Sequence, residues 1–267
     1  MGNKKAVGLD IGSQTTKVVV LDGNNILASS IVLSGDDTES SAKAAVEKAL
    51  KEAKLEFDDN LYITATGIGA KSISFSQQQK GITTCLARGV HYLLPSVQLA
   101  IDIGAESSTV IKVNERGRLS DYATHDKCAS GTGIFLQQMA KLMQMSPEDM
   151  SQHSFTAKRR ADITNTCAVF AESEVISHVH RVPPTPKEEI IAGLFYGVVS
   201  RIMTLCKRVG IKKDVAVVGG VALSKGLVHI FEEEFGFGVL VPETPQIVAA
   251  VGAAVISKES IEKGPAV

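Results

Sequence analysis

Two short segments of the chain repeat the same residue types at a constant spacing. Asp10 and Gly12 align with Asp102 and Gly104, an offset of 92 residues, within matching Asp-Ile-Gly segments. In each copy an aspartate near the end of an apolar strand precedes a turn of small and polar residues. Glycine lets backbone N–H groups approach phosphate oxygens closely, and a carboxylate is an oxygen ligand for Mg²⁺. The repeat therefore predicts a site for a magnesium-bound phosphate.

The predicted phosphate site draws on both turns. Asp10 and Asp102 are expected to hold Mg²⁺ directly or through water. The other residues expected to contact phosphate have small side chains or hydroxyl, amide and ammonium donors: Gly12, Ser13, Gln14, Thr15, Thr16, Lys17, Gly104 and Ala105. Two ordinary hairpins with turn glycines would explain either copy alone. The repeat and a later Val218-Gly-Gly-Val-Ala turn favour the phosphate site, although the sequence has no Gly-x-x-x-x-Gly-Lys-[Ser/Thr] loop.

Two of the four cysteines, Cys128 and Cys167, each come just before a predicted helix, over 134–143 and 169–179. A thiol at a helix N-terminus faces the positive end of the helix dipole, which favours the thiolate. Two thiolates cannot complete a tetrathiolate site, but two identical chains related by a two-fold axis can. An iron–sulfur cluster usually has four thiolate ligands. A bridging zinc site, or two cysteines packed as small core residues, are the alternatives.

The other two cysteines have different settings. Cys206 lies inside a predicted helix and is expected to pack in the core, whereas Cys85 starts a short helix and fits either role.

The pattern of apolar residues predicts strands that alternate with helices, and hence an α/β fold. Strands are expected over 6–21 (broken in the middle), 26–33, 61–67 and 214–218, with a hairpin turn at Asp22-Gly23. Helices are expected over 41–55, 190–208 and 247–255 in addition to those after the two cysteines. The long-period repeat predicts two related domains, 1–96 and 97–246, with a last helix at about 247–267 packing back on the first.

Composition restricts the class of protein. The chain has 267 residues, with 28 Lys and Arg against 29 Asp and Glu, a net charge of −1. This balance argues against binding to nucleic acid or a membrane surface through bulk charge. No apolar run reaches the 18 or so residues of a membrane helix, and the start does not resemble a signal peptide. The chain is expected to be cytoplasmic, where structural disulfides are rare.

The two Asp-Ile-Gly strands resemble the two phosphate motifs of the acetate and sugar kinase, Hsp70 and actin superfamily, and 217–222 resembles its adenosine motif. The resemblance implies two ribonuclease-H-like domains around an ATP cleft. It implies adenosine contacts at the second glycine turn, and a further nucleotide contact is expected at Gln246. The turn residues concerned are Gly219, Gly220, Val221 and Ala222.

Over nearly its whole length the chain resembles the ATP-dependent activators of 2-hydroxyacyl-CoA dehydratases and the ATP-binding subunits of benzoyl-CoA reductases. Two cysteine motifs carry this resemblance most specifically: Lys127-Cys-Ala-Ser-Gly-Thr-Gly and Asn165-Thr-Cys-Ala-Val-Phe-Ala-Glu-Ser-Glu. The resemblance implies a homodimer, or a pair of related subunits, that bridges one [4Fe-4S] cluster through Cys128 and Cys167 of each chain. It implies that ferredoxin or flavodoxin reduces the cluster. ATP hydrolysis then drives the electron to a partner dehydratase or reductase.

The sequence departs from the family at two motifs. Activators usually read Asp-Ile-Gly-Gly-Gln-Asp at the second phosphate motif, where this chain has Asp102-Ile-Gly-Ala-Glu-Ser. Glu106 takes the Gln position and is the candidate to orient water, a version similar to some benzoyl-CoA reductase subunits. The usual Thr-Gly-Tyr-Gly-Arg is Thr66-Gly-Ile-Gly-Ala. The altered second phosphate motif leaves open a subunit that does not hydrolyse nucleotide. If the cysteines only pack, a small-molecule kinase of the same superfamily is the other alternative.

Overall fold

A computed structural model describes residues 4–125, 132–164 and 167–264 of the chain. Cys128, one of the two predicted cluster ligands, and Asn165 and Thr166 beside the other lie outside the described residues. The chain divides into two compact units. The first comprises Met1–Gln98, Ile111–Asp121 and Pro242–Val267, and the second comprises Leu99–Val110 and Tyr122–Val241.

The strands form two sheets. In chain order they are β1 (Lys5–Ile11), β2 (Thr15–Asp22), β3 (Asn25–Leu33), β4 (Leu61–Gly67), β5 (Gln78–Gln79), β6 (Leu99–Ile103), β7 (Ser108–Val113), β8 (Leu119–His125) and β9 (Val215–Val218). The first sheet has the order β3-β2-β1-β4-β5 and the second β8-β7-β6-β9. β1 is parallel to β4, and β6 is parallel to β9. The two sheets therefore repeat one arrangement, in which the strand carrying each aspartate has a parallel neighbour on one side.

Eight helices are described: α1 (Thr38–Glu52), α2 (Ile82–Leu93), α3 (Gly133–Leu142), α4 (Pro147–Ser154), α5 (Ala168–His180), α6 (Lys187–Val209), α7 (Lys225–Phe235) and α8 (Val248–Lys263). The predicted strands and helices are confirmed, with end points shifted by a few residues. α4 and α7 were not predicted.

Two helices cover opposite faces of the first sheet. Successive strand residues point to opposite faces, so Val18 and Val20 pack in one core with α1 whereas Val19 and Leu21 pack in another with α8. α8 approaches β1 closely because the facing residues are small. A Cβ on Gly8 would collide with the backbone of Ala250. The small-residue stretch that predicted a closely packed last helix thus lies against β1 in the first unit.

The core of the second unit is built around α6. This is the one helix, among those described, that is long and apolar enough to cross a membrane by length and composition. However, 72% of its most apolar window is buried inside the protein, and residues such as Ile190, Phe195 and Ile202 pack in the core of the unit. α6 therefore has the surroundings of a core helix.

Candidate functional site

The first predicted phosphate loop joins β1 to β2 in a closed turn. The Gly12 N–H donates to the Thr15 carbonyl oxygen at 3.1 Å. Ser34, just after β3, fastens the loop: its hydroxyl donates to the Gly12 carbonyl oxygen at 2.8 Å, and its N–H donates to the Gln14 carbonyl oxygen at 2.9 Å. Three hydrogen bonds to backbone carbonyl groups of the loop thus hold it in place. The Ser13, Gln14 and Thr15 side chains are half-buried.

Asp10 and Lys17 form a buried ion pair beside this loop. The two residues are register partners across β1 and β2, and Lys17 Nζ lies 3.3 Å from Asp10 Oδ2. Asp10 is only 6% exposed. Burial raises the pKa of Asp10, and the nearby Lys17 ammonium group partly offsets this by lowering it. Lys17 therefore neutralises a carboxylate that is placed, as predicted, near the end of a strand.

The second predicted phosphate loop repeats the geometry of the first. The Gly104 N–H donates to the Ser107 carbonyl oxygen at 2.9 Å, the same three-residue closure that joins Gly12 to Thr15. Asp102 lies near the end of β6, and Ala105 is half-buried. Glu106 is exposed within the turn, so its carboxylate is accessible to solvent.

A glycine on the parallel neighbouring strand lies against each aspartate. Gly67 ends β4 with φ +90°, and Gly219 follows β9 with φ +87°. A Cβ on Gly67 would lie 2.7 Å from Asp10 Oδ1, and a Cβ on Gly219 would lie 2.6 Å from Asp102 Oδ1. Real Cβ atoms do not approach so closely, so both positions require glycine.

Gly219 was predicted as a site residue from the sequence, but Gly67 was not. The available signal was a glycine at the carboxyl end of each parallel strand, in Thr66-Gly67 and Val218-Gly219. Because these glycines do not share the 92-residue offset of the aspartates, alignment of the repeat does not reveal them.

The first turn of α3 is hydrogen-bonded to the second predicted phosphate loop. The Gly133 N–H donates to the Gly104 carbonyl oxygen at 2.9 Å, and the Ile134 N–H donates to the Ala105 carbonyl oxygen at 3.0 Å. The first amides of a helix have no partner within the helix. Here the loop supplies a carbonyl acceptor for two of them. A Cβ on Gly133 would lie 3.1 Å from the Gly104 oxygen and 3.2 Å from Val221 Cγ2. The loop is thus joined to the helix that follows the Cys128 segment.

The remaining predicted nucleotide contacts are distributed over both units. Val221 and Ala222 lie in a short 3₁₀ turn, Gly220–Leu223, in the second unit. Gln246 lies half-buried in the Pro245–Ile247 turn of the first unit, just before α8. The roles of these residues in nucleotide binding remain predictions.

Cys167 differs from the other two described cysteines. It is the N-cap residue of α5 and is half-buried, with a free thiol. Cys85 and Cys206 are fully buried, and burial raises their pKa values to about 11 and about 12. The packing role predicted for Cys206 is confirmed. The backbone of Cys85 lies against Gly252 of α8, where a Cβ would collide with the Cys85 carbonyl oxygen.

The donor set for a metal is incomplete in the described part of one chain. Over residues 4–125, 132–164 and 167–264, no three His, Cys, Asp or Glu side chains come together as a metal site. Cys167 nevertheless fits the requirements for a thiolate ligand, because it is partly accessible and lies at the N-terminus of a helix of 13 residues. A site that includes Cys167 requires further ligands from outside this set.

Comparison with known proteins identifies relatives over the whole chain. The family described as the BadF/BadG/BcrA/BcrD ATPase family matches residues 7–257. The chain is 37% identical to the 2-hydroxyisocaproyl-CoA dehydratase activator of Clostridioides difficile, covering 93% of this chain and 92% of that protein. It is 31% identical to one of the subunits of the benzoyl-CoA reductase of Thauera aromatica, covering 85% and 81% respectively.

A solved structure shows the same fold. The activator of the 2-hydroxyisocaproyl-CoA dehydratase from Clostridium difficile, with bound ADPNP, superposes with a TM-score of 0.89 at 36% identity. The match covers 98% of this chain and 99% of that one. The fold class and the ATP-binding function expected from the sequence are confirmed. This chain belongs to the BadF/BadG/BcrA/BcrD ATPase family.

Proposed function

We propose that this ATPase drives low-potential electrons into a partner enzyme that acts on an acyl-CoA thioester. The partner is a 2-hydroxyacyl-CoA dehydratase, in line with the higher identity to a dehydratase activator than to the benzoyl-CoA reductase component. A ferredoxin or flavodoxin supplies the electrons. The observation that carries the proposal is the partly accessible N-cap cysteine, Cys167, in a chain that also has two phosphate loops of matching geometry.

The nucleotide would be held by the paired loops and their aspartates. Closed glycine turns present backbone N–H groups, which suit phosphate oxygens. Asp10 and Asp102 offer carboxylate oxygens for Mg²⁺. Lys17, which neutralises Asp10, would also be attracted to phosphate. The exposed carboxylate of Glu106 would orient the attacking water.

Two copies of the chain, or this chain and a related subunit, would hold one [4Fe-4S] cluster through Cys128 and Cys167 of each. When bound, the cluster supplies a one-electron carrier of low potential. The contribution of this chain is to present a thiolate from a helix N-terminus. The positive end of the α5 dipole would stabilise the negative charge of a thiolate-ligated cluster.

The contacts of α3 provide a route from nucleotide to cysteine. Phosphate binding at the Gly104–Ala105 loop would alter the carbonyl groups that accept from Gly133 and Ile134. The first turn of α3 would then move, and α3 is the helix that follows Cys128 in the sequence. The hydrogen bonds from Gly133 and Ile134 to the loop are the contacts through which this coupling would act.

The proposed setting is cytoplasmic, with no nucleic acid and no membrane as partners. The net charge of −1 supports the absence of both partners, because a nearly neutral chain has no bulk electrostatic attraction for nucleic acid or for an anionic membrane surface.

The direct test uses anaerobically purified full-length protein, a reduced ferredoxin or flavodoxin, and a purified 2-hydroxyacyl-CoA dehydratase. We expect dehydratase activation that requires ATP and is lost in Cys167→Ser. Activation without ATP, or full activation by Cys167→Ser, would refute the proposal. ATP-dependent phosphorylation of a small molecule, with full activity in Cys128→Ser, would instead identify a kinase.

A further inference from the structure

The segment that leads into Cys167 is tied to α5 by two side chains one helical turn apart. The Thr164 N–H donates to Glu174 Oε2 at 2.6 Å, and His178 Nε2 lies 3.2 Å from the Asp162 carbonyl oxygen. Residues four apart lie on the same side of a helix. Glu174 and His178 therefore hold two points on the backbone that precedes their own helix.

The contacts of the His178 ring define its tautomer. A carbonyl oxygen can only accept, so His178 Nε2 carries the proton that it donates to Asp162. His178 Nδ1 lies 2.9 Å from Thr185 Oγ1, so the threonine hydroxyl is its hydrogen-bond partner. The Thr185 N–H donates in turn to the His178 carbonyl oxygen at 3.1 Å. His178 is 8% exposed, so the ring is enclosed and fixed from both sides.

The same segment has a third attachment, to α6. The Ala161 N–H donates to the Glu189 carbonyl oxygen at 2.9 Å. Gly193 of α6 has no side chain to hold Ala161 away, and a Cβ there would collide with the Ala161 carbonyl oxygen. Residues 161–164 are thus fixed at three closely spaced points, and only two residues separate Thr164 from Cys167.

We propose that Glu174 and His178 are positioning residues that hold Cys167 at the N-terminus of α5. A thiolate ligand must be held in the correct orientation before the metal site forms, and supporting hydrogen bonds provide this. Glu174 belongs to the cysteine motif of the sequence, yet it touches the backbone before the cysteine and not the thiol. The relevance of this positioning to an iron–sulfur cluster rests on the proposed function. The positioning of Cys167 itself can be measured in the iron-free chain.

The test measures amide hydrogen exchange at Thr164 and iodoacetamide alkylation of Cys167 in the iron-free full-length protein, with peptide mapping to separate the four cysteines. Glu174→Ala removes the acceptor, so exchange at Thr164 should increase about tenfold or more, as expected for loss of a hydrogen bond to a charged group. Cys167 alkylation should increase several-fold. Glu174→Gln keeps an acceptor oxygen but removes the charge, so both rates should increase clearly less than in Glu174→Ala.

Two further variants complete the test. Glu172→Ala makes the same chemical change at an exposed position of α5 and should leave Thr164 exchange unchanged. Thr185→Val removes the hydroxyl that contacts His178. Like Glu174→Ala, it should increase amide exchange at Thr164. Unchanged exchange in the α6 core confirms that each variant is folded.

Equal exchange and alkylation rates in wild type and Glu174→Ala would overturn the proposal. Equal acceleration in Glu174→Ala and Glu174→Gln would also overturn it, because the cause would then be charge. Iron content after anaerobic reconstitution separates this proposal from the proposed function. Wild type that binds no iron refutes the cluster, but the exchange data still decide whether Glu174 positions Cys167.

Discussion

Gly219 lies against the carboxylate of Asp102, so close that a Cβ on the glycine would be 2.6 Å from Asp102 Oδ1. Gly67 has the same relationship to Asp10, at 2.7 Å, and both glycines have positive φ. Each aspartate therefore occupies a space, near the end of its strand, that the parallel neighbouring strand leaves open. This duplicated arrangement explains why the aspartates are placed alike in two sheets of different sequence.

A side chain at Gly219 should disrupt the fold and the nucleotide site together. Gly219→Ala combines an unfavourable φ of +87° with a collision against Asp102 and Ile103. We expect it to lower the free energy of unfolding by about 3 kcal/mol, measured by urea denaturation. ATP affinity, measured by calorimetry, should fall as well.

Gly236→Ala is the matched control, because Gly236 also has a positive φ of +73° but no atom within 4 Å of its Cβ position. It should cost only about 1–2 kcal/mol and leave ATP affinity unchanged. Equal effects of the two variants on ATP affinity would show that the Asp102 contact is unimportant for the nucleotide.

Replacing Asp10 should stabilise the chain while it damages nucleotide binding. Burial raises the pKa of Asp10 above its ordinary 3.8 in the folded state, so ionising the carboxylate opposes folding. The folded chain is favoured at acid pH, and this contribution is lost as pH rises from 3.8 through the folded pKa. Asp10→Asn, which resembles the protonated acid, should therefore raise the free energy of unfolding at pH 7, with ATP affinity reduced.

The gain should vanish at acid pH, below the ordinary pKa of 3.8, where Asp10 is protonated in both states. Lys17→Met, which leaves the carboxylate without its ammonium partner, should destabilise the chain at pH 7. An Asp10→Asn variant that is less stable than wild type at pH 7 would mean that the pair with Lys17 outweighs the cost of burying the charge.

Asp102 should be essential for hydrolysis. Asp102→Asn keeps the size of the side chain but weakens its hold on Mg²⁺, so ATPase activity should fall about tenfold to a hundredfold. Asp59→Asn, at an exposed position, is the control and should hydrolyse ATP normally. Phosphate release assays on the isolated protein provide the measurement. If the wild-type protein showed no ATPase activity, either alone or with its partner, a subunit that does not hydrolyse nucleotide would be favoured.

The sequence predicted the parts of the molecule whose signals are local. Short apolar runs bounded by turn residues predicted β1 to β4, and the Asp-Ile-Gly repeat predicted two loops that the structure closes in the same way. Both signals act over a few positions of the chain. α4 was missed because only Met150 and Ser151 of this polar helix are buried, which leaves no clear apolar face. Its capping box, Ser146 with Asp149, was the available local signal.

Contacts between distant residues could not be predicted in the same way. The approach of Gly67 to Asp10 depends on the pairing of β1 with β4, and the hydrogen bonds from Gly133 and Ile134 depend on where α3 begins in space. The hydrogen bond between Thr164 and Glu174 joins residues only ten apart in sequence, but it depends on where Thr164 lies beside α5. Tertiary structure determines all three.

The shared [4Fe-4S] cluster can be tested directly by iron analysis and EPR on anaerobically purified full-length protein and its single cysteine variants. We expect about four irons for every two wild-type chains, the content of one [4Fe-4S] cluster. Cys128→Ser and Cys167→Ser should lose the iron and its EPR signal, whereas the buried Cys206→Ser should retain both. Iron-free wild type after anaerobic reconstitution, or a full iron content in Cys167→Ser, would contradict it.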